Sequence, residues 1–140
     1  MAFEYRKGER ILVLLPLDSD SADIKVGDAI TAAGATDGYF KEVDASGEAI
    51  VGIAAQEKEA GDADGDISIL VDVSPQSVYE VPPDAGSVVV TLVGKTMDCG
   101  ADARSANIDA SAQDDVYCVG IDTTANTLLC MLRTNPAGVA

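Results

Sequence analysis

Three residue sets in this sequence could do chemistry: a run of spaced carboxylates, three thiols and a small basic cluster. The run is Asp62-Ala-Asp64-Gly-Asp66. Alternating carboxylates can converge on a hard cation such as calcium, which takes several oxygen ligands, and a glycine permits the tight turn. The EF-hand pattern places glycine sixth and glutamate twelfth; here Gly65 follows the second Asp and Val73 stands twelfth from Asp62. The flanks are also strand-like, so a solvated acidic turn is the preferred reading, with Asp62, Asp64 and Asp66 kept as the candidate metal set. Asp114-Asp115 and Asp62/Asp64 could serve as acid–base pairs. Among 24 acidic residues, however, close pairs arise by chance and nothing marks one as buried. There is no histidine, which excludes Ser–His and Cys–His nucleophile pairs and imidazole metal sites. Nucleophile-elbow, P-loop and dinucleotide glycine patterns are missing as well. No catalytic residue and no cofactor is assigned.

The thiols carry a geometric expectation. A hairpin turn centred on Thr124 sets Cys118 opposite Cys130 and Val116 opposite Leu132. Cross-strand Cα separations are about 4.5–5.5 Å, so a disulfide is within reach. Two small buried hydrophobes facing a core is the reading preferred for a reducing compartment. Cys99 lies between Asp98 and Gly100, and nearby acidic charge raises a thiol pKa instead of activating it.

Positive charge gathers at the N-terminus, where Arg6, Lys7 and Arg10 accompany Phe3 and Tyr5. Aromatics and arginines dominate interface hot spots, so residues 1–10 read either as a docking arm or as an ordinary solvated strand. Phe3, Tyr5, Arg6, Lys7 and Arg10 are the candidate partner contacts.

The elements that must position these groups are short and strand-like. Residues 11–15 form an unbroken apolar run stopped by Pro16, as in a strand buried on both faces. A polar loop over 18–23 precedes a short strand near 25–31. Residues 39–43 and 48–55 read as partners across the Asp44–Gly47 turn. In 66–73, Ile67, Ile69, Val71 and Val73 alternate with Asp66, Ser68, Leu70 and Asp72, the period of a half-buried strand. A strand over 77–81 ends at Pro82-Pro83, and the Val-rich stretch 87–93 reads as a central strand. Residues 100–115, rich in Ala, Asp and Ser, read as loop. The segments 116–121 and 127–133 form the clearest hairpin. Val-Gly recurs at positions 26, 51, 93 and 119, at unequal spacings that suit glycines at strand ends better than a repeat. The expectation is a mainly β protein, a compact barrel or sandwich of short antiparallel strands with little helix. It divides into an arm over 1–10, one β domain over 11–133 and a tail over 134–140.

Composition sets the outer bounds. A chain of 140 residues suits one domain with a real core. Its 47% hydrophobic content and mean hydropathy of +0.15 oppose disorder. Nine basic residues against 24 acidic give a net charge of −15, which disfavours nucleic-acid backbones and anionic membranes as partners. Aromatics at 4% and no tryptophan are too few for stacking platforms. Three cysteines at wide spacings do not form a secreted disulfide framework. No apolar stretch suits a signal peptide or a membrane span.

The order of several segments resembles small head decoration (capsid cement) proteins of tailed viruses. The likeness rests on Val26-Gly-Asp-Ala-Ile30, Gly47-Glu-Ala-Ile-Val-Gly-Ile-Ala54, Ala60-Gly61 leading into Ile67-Ser-Ile-Leu-Val71, Gly94-Lys-Thr-Met-Asp98, Asp115-Val-Tyr-Cys-Val-Gly-Ile-Asp122 and a closing strand over 128–132. It covers residues 26–133. The resemblance implies a β-rich domain, often trimeric, made in the host cytoplasm. On the outer surface of the virion it would tie neighbouring major capsid protein subunits together. It implies no catalytic residues. The acidity departs from that pattern and suits a salt-adapted host, where repulsion is screened.

Three functions are therefore weighed: this virion structural role, with the major capsid protein and further copies as partners in a homotrimer; a calcium-dependent extracellular β adhesion module; and a small β-barrel enzyme acting through carboxylates.

Overall fold

Apolar runs of four to six residues, cut by Gly, Pro and Asp, leave room for strands but not for helices. The computed structural model describes residues 2–34, 37–45 and 47–133. Within them lie strands β1 (Glu4–Lys7), β2 (Leu12–Pro16), β3 (Ala29–Ala32), β4 (Phe40–Glu42), β5 (Ile50–Ala54), β6 (Ser68–Asp72), β7 (Val78–Val81), β8 (Thr96–Cys99), β9 (Ala106–Asn107), β10 (Val116–Asp122) and β11 (Thr127–Leu132). A single 3-10 turn spans Val90–Leu92. The tail expected over 134–140 lies outside the described residues.

The strands make two antiparallel sheets, one of six in the order β1-β7-β11-β10-β8-β9 and one of five in the order β2-β6-β5-β3-β4. The fold is the sandwich of the two expected alternatives; neither sheet closes into a barrel. The five-stranded sheet does curl, bringing its edges together at one isolated bridge between Leu17 and Phe40. Phe3, Tyr79, Val81, Met97, Val116 and Leu128 of the larger sheet and its loops pack with Ala29, Val43, Ile50 and Ile53 of the smaller one. A second core of Leu17, Ile24, Ile30, Val51, Ala54, Ile69, Val71 and Val73 is built around the smaller sheet.

One ribbon joins the sheets. β1 pairs with β7 through Glu4↔Glu80 and Tyr5↔Tyr79, and β2 pairs with β6 from Leu12↔Asp72 to Pro16↔Ser68. The register slips by one between Tyr5 and Lys7, and is back in step at Leu12. The N-terminal strand thus runs along the edge of both sheets and turns a corner at Gly8, whose φ is +102°. Asp72 is fully buried at that corner. Its Oδ1 accepts from the Ile11 and Ser74 amides at 3.1 and 3.0 Å, and its Oδ2 accepts from the Tyr79 hydroxyl at 2.7 Å.

Several expectations are corrected by this topology. The stretch 11–15 is not buried on both faces: β2 is an edge strand, and only Val13 and Leu15 pack towards the core beneath it. Residues 87–93 form a loop and the 3-10 turn instead of a central strand. Local bonds from Leu92 N to Val89 O and from Val93 N to Val90 O take up backbone groups that a ladder would need. β4 and β5 do not pair with each other, because β3 lies between them, matching Ile30 with both Glu42 and Gly52. Of the two readings of the N-terminus the described residues 2–10 follow the solvated strand and not the arm, since β1 is a sheet strand and Phe3 is core. The 116–133 hairpin forms with Val116↔Leu132 and Cys118↔Cys130 opposed as read, before a bulge at Val119 shifts the remainder by one.

Candidate interaction surface

Exposed apolar side chains gather on the edge ribbon. Tyr5, Ile11, Leu12 and Leu14 are four of the ten large hydrophobics left in solvent among the described residues, and Leu14 is the most open of the four at 65%. Strand alternation explains the pattern. On β2, Val13 and Leu15 face the inner core, so Leu12 and Leu14 project from the other side, where no strand of the six-stranded sheet covers them. The basic residues line the same ribbon. Arg6 bonds Glu80, with Nε at 2.8 Å, and lies 3.5 Å from Glu4. Arg10 stacks 4.7 Å from the Tyr5 ring centroid, with Nε 3.7 Å from Asp72. Lys7 is exposed. Of the five candidate contact residues, Tyr5, Arg6, Lys7 and Arg10 share this accessible edge. Phe3 is taken out of the set by burial, its ring 6.3 Å from that of Tyr79.

A second apolar patch escaped the sequence reading. Val89, Val90 and Val93 are exposed around the 3-10 turn, and Tyr117 and Val119 are exposed on the outward side of β10. The Gly94 amide donates to Cys118 O at 2.8 Å, which holds the turn against that strand. The missed signal was the run of valines itself. Its β-propensity suggested burial, whereas the three valines stand in solvent.

The carboxylates are occupied with structure. Asp64 accepts from the Ser19 amide and hydroxyl at 2.9 and 3.0 Å, and Asp66 accepts from the Ala63 amide at 3.1 Å. Among the described residues no three acidic or thiol side chains gather as metal ligands, so Asp62, Asp64 and Asp66 do not form a cation cage. Asp98 accepts from the amides of Ala112, Gln113 and Asp114, folding the loop over 100–115. Asp115 ties the sheets together by accepting from Ile50 N and Cys99 N at 3.0 and 2.9 Å, and burial pushes its pKa up to about 6. Asp114 instead bonds the Thr96 hydroxyl at 2.6 Å and faces Arg133 at 3.9 Å, so the adjacent pair does not act together.

Asp28 and Glu42 form a close carboxylate pair. Burial works to raise the Asp28 pKa, but the Arg104 guanidinium, whose Nε is 2.7 Å away, outweighs it and holds the carboxyl below its ordinary value. Glu42 takes the opposite course. Burial first, and then the neighbouring Asp28, push it up to about 8, and its Oε2 has no hydrogen-bond partner.

All three thiols are free and buried. Burial pushes the Cys99 thiol well above its usual range, with Asp115 adding to the effect. Cys118 is held near 7 by the neighbouring Cys130 thiol, which is itself driven up. Compared with family models, curated proteins and solved structures, the chain matches none.

Proposed function

We propose that this chain is a structural protein of a virus particle, decorating and stabilising an icosahedral capsid by bridging major capsid protein subunits. The observation that carries the reading is the edge ribbon. Four large apolar side chains and three basic ones lie along the β1–β2 ribbon of a protein whose net charge is −15. A surface of that composition grips other proteins, since apolar and aromatic anchors with arginine supply most interface energy. The ribbon is pinned at its corner by Asp72 and Tyr79, so it meets a partner already ordered and loses little entropy on docking. The capsid as the partner follows from the resemblance over residues 26–133, which also implies that copies associate, with a trimer as the order.

Mass spectrometry of purified particles is the test, together with the position of the gene. The expected result is this chain in stoichiometric amount on the particle and its gene beside that of the major capsid protein. A chain absent from particles, or one whose thermal midpoint climbs with micromolar calcium as an adhesion module's would, overturns the reading.

A further inference from the structure

Sheets end in edges, and an edge strand with unpaired backbone groups accepts another strand unless something blocks it. In the β2–β6 ladder Leu17 N donates to Ile67 O and Val73 N donates to Ile11 O. Antiparallel ladders alternate, so residues 11, 13, 15 and 17 bond β6, while Leu12 and Leu14 direct both N–H and C=O away from the sheet. The curl of the sheet does not cover them. Among the described residues its two edges meet at Leu17 and Phe40, at the end of β2, where the Asp18 amide donates to Phe40 O at 2.8 Å. Leu12 and Leu14, at 45% and 65% exposure, mark the uncovered length.

We infer that β2 pairs antiparallel with β2 of a second copy, about a two-fold axis through Val13, joining two five-stranded sheets into one of ten. The register follows from the outward leucines: an axis at Val13 sets Leu12 and Leu14 against leucines of the second copy, whereas one at Leu12 sets Leu14 against Arg10. With Leu12 opposite Leu14 of the second copy, each pair exchanges both backbone bonds. A register centred on Leu14 would instead place Pro16, which has no N–H, opposite Leu12, and would need the Asp18 amide that Phe40 already holds. In the chosen register the leucines of the two copies also pack side by side on one face.

Charge selects a second copy as the occupant. The segment ahead of β2 carries Arg6, Lys7 and Arg10 against Glu9, and Asp18, Asp20 and Asp23 follow its end. Antiparallel pairing lays the basic end of each copy beside the acidic end of the other. At physiological salt the Debye length is about 8 Å, so this local match acts at the contact while repulsion between distant charges is screened. The contact stands on the edge geometry alone; it takes the Leu12–Leu14 part of the ribbon from the capsid reading above and leaves it Tyr5, Arg6 and Lys7.

Two single-cysteine additions test it. Leu12→Cys and Leu14→Cys change exposed side chains, and the native thiols are buried. Opposed positions in a hydrogen-bonded pair lie about 5.5 Å apart at Cα, within disulfide reach. A mixture of the two variants, mildly oxidised, is expected to give a covalent dimer on a non-reducing gel, and each variant alone is expected to give none. In sedimentation velocity the wild-type chain is expected to self-associate, and Leu14→Lys to weaken that by roughly tenfold or more with an unchanged circular dichroism spectrum, because an edge lysine blocks strand addition. A wild-type protein that stays monomeric at every concentration overturns the inference. So does a covalent dimer from Leu12→Cys or Leu14→Cys alone, or association that Leu14→Lys leaves intact.

Discussion

Glu42 holds a half-buried carboxyl beside Asp28, which binds the Arg104 guanidinium at 2.7 Å while Glu42 stands 3.8 Å from it. Its folded pKa, about 8, lies above the ordinary value of 4.5. Between those limits the folded chain binds a proton that the unfolded chain has lost, so stability falls as pH rises from about 4.5 to about 8. Asp115, raised to about 6 from 3.8, acts in the same direction but only up to pH 6. Asp28, Asp44 and Glu80 are lowered, and their stabilisation is lost only in stronger acid. Between pH 6 and 7 the slope therefore belongs to Glu42, and above 7 the lowered Cys118 thiol acts against it. Glu42→Gln is expected to flatten the dependence of thermal midpoint on pH between 6 and 7 and to raise the midpoint at pH 8.5 by about 3 °C. Thermal melts of both proteins at half-unit pH steps check this; equal slopes for the two would show that Glu42 ionises freely.

At the scale of elements, the corner of the N-terminal ribbon depends on Gly8. Its φ of +102° is left-handed, and a Cβ there would overlap the Gln76 carbonyl oxygen. Gly8→Ala is expected to cost roughly 1–3 kcal/mol or more, since strain and overlap act together. Gly94→Ala, at φ +89° with open space around it, carries only the backbone penalty of about 1 kcal/mol. Urea unfolding of the two variants separates them; equal losses would show that the corner yields.

The same corner explains what could be read from the sequence. The alternation of 66–73 and the hairpin over 116–133 are local patterns, and both elements form where they were read, down to Cys118 opposite Cys130. Edge position is not local. Leu12 and Leu14 look like core because nothing in residues 11–15 tells that β2 has a neighbour on one side only. The insertion of β3 between β4 and β5 is likewise decided by distant pairing. The valines at 89, 90 and 93 carry strand propensity without a strand, because the turn satisfied their backbone first. Of the candidate contacts, Tyr5, Arg6, Lys7 and Arg10 were legible as a basic and aromatic cluster. The apolar half of the surface was not.

Over the whole molecule, charge is the quantity to weigh. Arg6, Arg10, Lys25, Lys41, Arg104 and Arg133 each have a carboxylate partner, yet 24 acidic residues against nine basic leave a surplus that those pairs cannot offset. Self-repulsion of this kind destabilises a compact chain, and added salt shortens its range from about 30 Å at 0.01 M to about 3 Å at 1 M. The surface ion pairs weaken over the same interval, but each is worth only about 0.2–1 kcal/mol, so the net effect follows the surplus. The thermal midpoint is therefore expected to rise by several degrees between low and high sodium chloride. Calcium chloride at matched ionic strength is expected to add nothing beyond sodium, because Asp64 and Asp66 are already bonded to Ser19 and Ala63 and the three carboxylates do not converge. Paired salt titrations followed by circular dichroism decide both points. A midpoint that falls with sodium would place the ion pairs above the repulsion, and a calcium-specific rise would place a cation among the acidic loops.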